Sequence, residues 1–174
     1  MFLDRDGTLC EDPGYLHEPE LVRLLPGVAD GLQRLAAAGW PLVVVSNQSG
    51  IARGLYQAGA FHAVNRRLED LARVHLAGAY HCPHHPDFTG ACECRKPAPK
   101  LFRQAALDLG LDLARSWFVG NRIDDVLPAR TFGGRGVLVR SPGHPRDAEE
   151  AERQGFQIAD DFARVSSLVL AQVP

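Results

Sequence analysis

No stretch of this chain is apolar for long. The longest strongly hydrophobic run is Trp40 to Val45, whereas a bilayer-spanning helix needs about 20 such residues. Charge of one sign is also missing. The 19 Lys and Arg against 21 Asp and Glu leave a net charge of −2, which argues against a broad nucleic-acid-binding face and leaves room only for a local basic pocket. Low-complexity tracts and internal repeats are absent, so neither a disordered tail nor a solenoid is expected. The opening MFLDRDG shows no basic segment leading into an apolar run. A secretory leader is therefore not expected, and the cytoplasm is the default location. Disulfides do not persist there, so the few cysteines, 4 in all, point to metal or redox chemistry. A chain of 174 residues is expected to form one domain over 1–174, with a monomer as the default.

What the sequence does have is alternation. PLVVVSN reads as a buried strand, and Phe61, Val64, Leu68 and Leu71 recur at helical spacing within Ala60 to Leu76. Val28, Leu32 and Leu35 mark an earlier helix stopped by Gly39, and Lys100 to Leu109 supplies another. SWFVGN and RGVLVR are two further strands, separated by a helical segment over Ile123 to Phe132. This rhythm predicts a three-layer, Rossmann-like α/β fold with a parallel sheet and helices on both faces. No connection is long enough for a cap domain. The first strand is odd: only Met1, Phe2 and Leu3 precede DRDGT, fewer than the usual five or six or so. Either the strand is unusually short or the natural start lies upstream.

In such sheets ligands bind at the carboxyl ends of strands. Asp4-Arg5-Asp6-Gly7-Thr8, Ser46-Asn47 and Gly120-Asn121 all fall there. Two carboxylates one residue apart can divide labour, one as nucleophile or metal ligand and the other as acid and base. From DRDG alone, a polar strand end with a turn explains the residues equally well.

A second cluster lies in CPHHPDFTGACECRKP, Cys82 to Pro97. One residue separates Cys82 from His84, and one separates Cys92 from Cys94, so in extended chain each pair projects to one side. A Cys₃His set fills a tetrahedral Zn²⁺ site and leaves no open position, which makes it structural. His85 could exchange for His84, and a Cys92–Cys94 redox pair is the alternative, although a bridge between cysteines so close would be strained. Cys10 stands apart as an ordinary small side chain.

Taken in order, Asp4-Arg5-Asp6-Gly7-Thr8, Ser46, Lys96 and Gly120-Asn121 through Asp125 resemble the successive motifs of the haloacid dehalogenase superfamily of phosphotransferases. Over longer strings the chain is similar to the heptose-bisphosphate phosphatases and their relatives, the histidinol-phosphate phosphatases: FLDRDGT, GYLHEP, LVVVSNQSGIARG, YHCPHHP, CECRKPAP and VLVR. The resemblance implies a Mg²⁺-dependent phosphomonoesterase acting on a small phosphorylated sugar or metabolite through an aspartyl phosphate. Asp4 would be the nucleophile and Asp6 the acid and base, in surroundings that favour its protonated form. Ser46 and the Asn47 backbone would bind phosphate oxygens, and Lys96 would neutralise phosphate and nucleophile. Mg²⁺ would lie between Asp4, the Asp6 carbonyl and Asn121, with Asp125 holding a water on it. Arg95 would read a second phosphate; Asp12, Tyr15, His17 and Arg53 would line the substrate; Arg5 would point away in a structural role. The match to the family's zinc loop supports Cys82, His84, Cys92 and Cys94 as ligands. One departure stands out. The family's usual aspartate after the glycine is Asn121 here, which keeps an oxygen donor but loses its charge. That substitution keeps a catalytically weakened domain that binds phosphorylated ligands or a partner in view as the rival of another class.

Overall fold

A computed structural model describes residues 1–172. β1 (Phe2–Leu3) runs into a long loop with a 3₁₀ turn at Pro19–Leu21, then α1 (Val28–Ala37). β2 (Val43–Asn47) leads to α2 (Ser49–Ala52) and α3 (Ala58–Ala72). After β3 (Gly78–Cys82) come α4 (Pro86–Thr89) and α5 (Lys100–Leu109). β4 (Trp117–Gly120) precedes α6 (Ile123–Val126) and α7 (Pro128–Phe132). The chain closes with β5 (Arg135–Val139), α8 (Pro145–Arg153), β6 (Gln157–Ala159) and α9 (Phe162–Leu170). The strands form one parallel sheet in the order β3-β2-β1-β4-β5-β6.

The central strand is short, as its sequence implied, and the structure shows why two residues suffice. Phe2 and Leu3 pair with Val43 and Val44 on one side and with Phe118 and Val119 on the other. Beyond the strand, Val43 N–H donates to the Met1 carbonyl and Asp4 N–H to that of Val119. The backbone at Asp4 is thereby fixed by its neighbours.

Both faces of the sheet are apolar, because alternate residues point to opposite layers. Leu3, Val44, Val119 and Val137 pack with Leu32, Leu35, Phe61, Val64, Phe162 and Val165 from α1, α3 and α9. Phe2, Val43, Val45 and Phe118 face Phe102, Ala105 and Ala129 from α5 and α7. Phe2 stacks on Phe118 at 5.2 Å and meets Phe102 edge-on at 5.4 Å. Under β5, Leu138 packs with Val126, Ala148 and Ala151 from α6 and α8.

The segment expected as one helix over Ile123 to Phe132 is two short helices. Pro128 opens α7, and a residue without an N–H cannot continue the hydrogen-bond ladder of α6. Among the described residues, the connections after β1 and β3 add only a 3₁₀ turn and the short α4 to the layer helices. Among these residues no cap covers the strand ends.

Candidate active site

Beside β1 the strand order reverses, and connections leave toward opposite ends of the sheet, which opens a crevice at the carboxyl edge. A cavity of about 370 Å³ lies there, lined by Asp4, Asp6, Asp12, Tyr15, Ser46, Asn47, Arg95, Lys96, Asn121 and Asp125, together with Asp124 and His144.

Its floor is one ion triad. The Lys96 ammonium donates to Asp4 Oδ1 at 2.7 Å and to the Val45 carbonyl at 2.7 Å, and lies 2.6 Å from Asp125 Oδ1. All three charged groups are buried. An ammonium has three hydrogens, and these three acceptors occupy them, so the side chain has one orientation. Asp125 is aimed by the Arg122 N–H, which donates to its Oδ2 at 2.9 Å. It lies so close to β4 that a Cβ on Gly120 would come within 2.2 Å of that oxygen. Thr8 Oγ1 bridges Asp4 Oδ2 at 3.4 Å and Asn121 Oδ1 at 3.3 Å.

Two carboxylates share one ammonium, so a negative charge is left over in a buried site. Burial and the neighbouring Asp125 carboxylate push the Asp4 carboxyl up to about 7, against the opposing pull of Lys96. Burial alone would lower the Lys96 pKa, but Asp125 and Asp4 outweigh it and hold the ammonium above its usual range. The ammonium is thus securely charged, and the Asp4 side of the cavity is short of positive charge.

Asp6 is held by its neighbours Arg5 and Gln48. Its carboxylate accepts from Arg5 Nε at 2.8 Å and Arg5 Nη2 at 2.9 Å, and from Gln48 Nε2 at 2.8 Å. Arg5 does not point away: fully buried beside the Phe61 ring, it grips Asp6 directly. The chain leaves extended conformation here, with Gly7 at φ 77° and Asp6 making only an isolated bridge to Cys10, so strand alternation no longer dictates side-chain direction.

Asn47 has a use that its sequence position did not reveal. Its side-chain Oδ1 accepts the Lys96 N–H at 2.9 Å, and its Nδ2 donates to the Lys96 carbonyl at 3.3 Å. This two-bond clamp fixes the Lys96 backbone against the end of β2. Arg95, the preceding residue, lines the cavity and donates to the His84 carbonyl at 3.3 Å. Asp12 and Tyr15 reach the cavity rim. His17 and Arg53 are not among its lining residues. The His17 ring stacks on Tyr56 at 5.1 Å, and the Arg53 guanidinium lies over Phe88 at 4.6 Å and within 3.2 Å of His85 Nε2.

The donor atoms of Cys82, His84, Cys92 and Cys94 all lie within 4.8 Å of one another. Cys82 Sγ is 2.9 Å from Cys94 Sγ and 3.6 Å from Cys92 Sγ, and His84 Nδ1 is 3.1 Å from Cys94 Sγ. His85 turns the other way, toward Arg53 and the Asp87 N–H. The cluster is rooted in β3, where the Cys82 carbonyl accepts the Gln48 N–H at 2.8 Å.

Comparison with known proteins places this geometry. Heptose-1,7-bisphosphate 7-phosphatases of Yersinia pestis and Salmonella typhi are 44% and 39% identical to the chain, covering 86% and 99% of it and 84% and 95% of their own lengths. The chain belongs to the haloacid dehalogenase-like phosphatases. Residues 93–165 match the family model described as HAD-hydrolase-like. A crystal structure of the D,D-heptose 1,7-bisphosphate phosphatase of B. bronchiseptica, complexed with magnesium and phosphate, superposes with a TM-score of 0.88 at 29% identity, over 99% of this chain and 98% of that one. This chain is thus a phosphatase of the haloacid dehalogenase fold. No helix among the described residues is long and apolar enough to cross a membrane.

The surplus charge has a measurable consequence. A carboxyl held at about 7 in the folded chain binds a proton there more readily than in the unfolded chain, so its contribution to stability declines as pH rises through that value. In metal-free protein at pH 8, Asp4→Asn should therefore raise Tm by about 2–4 °C or more, and the gain should shrink toward pH 5. Calorimetry of both proteins across that range is the check; an equal loss of Tm at both pH values would show that the site is not charge-strained.

Proposed function

We propose that this phosphatase hydrolyses a phosphomonoester of a small phosphorylated sugar, with a heptose 1,7-bisphosphate as first choice, and that Asp4 is its nucleophile. The observation that carries the reading is the Asp4–Lys96–Asp125 triad at the floor of an open, polar cavity. A carboxylate needs no base to attack phosphorus, and Lys96 holds Asp4 in one orientation. Attack by Asp4 forms the acyl phosphate while the bond from phosphorus to the sugar oxygen breaks. Asp6 gives that oxygen its proton. In the second half, Asp6 takes a proton from water as the water attacks phosphorus, which frees phosphate and regenerates Asp4. Ser46, buried at the cavity wall, donates to a phosphate oxygen with the Asn47 backbone beside it. Arg95 offers its planar fork to a second phosphate or to hydroxyls; the relatives named for a bisphosphate substrate favour the former.

The residues fit Mg²⁺. Asp4, the Asp6 carbonyl and Asn121 are hard oxygen donors, Asp125 stands beside them, and the two carboxylates of the triad outnumber its one ammonium. When bound, the ion would shield the phosphate from the attacking carboxylate and stabilise charge on the transferring group. The Cys₃His cluster fits a closed, structural Zn²⁺ site. Tied to β3 at one end and leading directly into Arg95 and Lys96 at the other, it would aim those two side chains.

Three measurements test this reading. Phosphate release from a panel of sugar mono- and bisphosphates and histidinol phosphate should be greatest with a heptose bisphosphate, require Mg²⁺ and vanish in Asp4→Asn; turnover retained by that variant would remove the nucleophile assignment. Asn121→Asp should lower the Mg²⁺ concentration for half-maximal activity, by about tenfold if the added charge contributes about 1.4 kcal/mol; an unchanged requirement would place Asn121 off the metal. Stripping zinc with a chelator, followed by Mg²⁺ resupply, should raise KM at least several-fold. An unchanged KM would mean that the cluster does not position Arg95 and Lys96.

A further inference from the structure

Behind Asp6 and Ser46 lies a side chain to which neither motif nor mechanism has given a task. Gln48 is buried, and all its polar atoms are engaged. Its Oε1 accepts from the Tyr56 hydroxyl at 2.7 Å and from Arg5 Nη2 at 3.3 Å. A guanidinium can only donate, so this end of the amide is the oxygen. The other end, Nε2, then has two hydrogens for its two neighbours, Asp6 Oδ2 at 2.8 Å and Ser46 Oγ at 2.7 Å.

Each bond constrains a group at the cavity. Since Ser46 Oγ accepts from Gln48, its own hydrogen is free to point elsewhere. Asp6 is held by three nitrogen donors, Nε and Nη2 of Arg5 and Nε2 of Gln48, which together set the plane and position of its carboxyl group. Arg5 fixes the carboxyl plane through a two-bond fork, and Gln48 adds a third bond at Oδ2 from another side. Gln48 is in turn fixed from outside. Tyr56 packs so tightly on Gly50 that a Cβ there would lie 2.2 Å from its ring, and the His17 ring stacks on Tyr56 nearly parallel, at 5°. The backbone of Gln48 is pinned to the Cys82 carbonyl.

We infer that Gln48, locked by Tyr56 and Arg5, is the positioning residue that aims the Asp6 carboxyl at the leaving-group oxygen. The inference rests on the proposed role of Asp6 as proton donor. It assigns Tyr56 and His17 to the support of that aim, although His17 was read from the sequence as a substrate contact.

The dependence of rate on leaving group separates aiming from general support. Reduced proton donation hurts a poor leaving group far more than a good one, and kcat/KM reports the step in which the leaving group departs. For aryl phosphates ranging from p-nitrophenyl to phenyl, Gln48→Met should lower kcat/KM about 10- to 100-fold at the phenyl end and only a few-fold at the nitrophenyl end. The plot of log kcat/KM against leaving-group pKa thus becomes steeper. Tyr56→Phe keeps the ring packing and should steepen it in the same sense but less, because Arg5 still donates to Gln48. It serves if Gln48→Met does not fold, as judged by circular dichroism and Tm. A uniform fall along the series, or no fall at all, would overturn the inference while leaving the phosphatase reading intact, provided that hydrolysis still requires Asp4. Absence of Asp4-dependent hydrolysis throughout would bring down both.

Discussion

One ammonium organises this molecule. Lys96 Nζ joins the end of β1 through Asp4, the middle of β2 through the Val45 carbonyl, and α6, which follows β4, through Asp125. β1, β2 and β4 are the central strand and its two neighbours, the place where the strand order reverses. Without the ammonium, two buried carboxylates would face each other unscreened, which a low-dielectric site penalises heavily. With it, they are still one positive charge short. The triad is therefore both a structural knot and an incomplete electrostatic site, and a divalent cation or a proton on Asp4 would complete it.

Because so much depends on where one lysine points, the structure controls its approach from several directions. The Asn47 side chain clamps the Lys96 peptide to β2. Upstream, the Cys82, His84, Cys92 and Cys94 donors converge within a few ångströms, and Arg95 bonds back to the His84 carbonyl. A loop of this kind has little core: Phe88 is exposed and α4 has no buried residue. Convergent ligands are a way for such a segment to gain rigidity that packing cannot supply. The same end of β3 holds the Gln48 backbone, so the cluster, the lysine and the Asp6 support share one anchor.

Much of this was legible in the sequence. The apolar runs PLVVVSN and SWFVGN marked the two strands that flank β1, and the paired spacings CxH and CxC marked a donor set that the fold brings together. The edge strands were harder. β3, GAYHC, is only half-buried along most of its length, and β6 has three residues, so neither carries a strong apolar signal. The roles of Arg5, Asn47 and Gln48 were illegible for a different reason. Alternation places Arg5 opposite Asp4 and Asp6 only while the chain stays extended, and the turn at Gly7 breaks that rule. Asn47 and Gln48 act on Lys96 and Asp6, partners 49 and 42 residues away, and no local pattern encodes such distances. Ser46 and Gln48, two apart at a strand end, did offer one usable hint, since both could be expected on the same side.

A charge-strained site must be tolerated by the rest of the fold, and the layout shows how. The residues that precede the strand ends at the cavity are almost fully buried and apolar: Phe2 and Leu3 before Asp4, Val44 and Val45 before Ser46, Phe118 and Val119 before Gly120. β1, β2 and β4 are apolar on both faces up to their last residues and turn polar only at the carboxyl edge. The strain is thereby confined to the rim where the cavity beside Asp4 opens to solvent. The absence of a cap among the described residues follows the same logic. An open rim lets water and cations temper the surplus charge of the resting site, whereas a closed lid would have to enclose it. In the proposed reaction, substrate discrimination would fall to rim side chains such as Arg95, Tyr15 and Asp12, which line the cavity, and it is their loops, not the sheet, that would have to be held still.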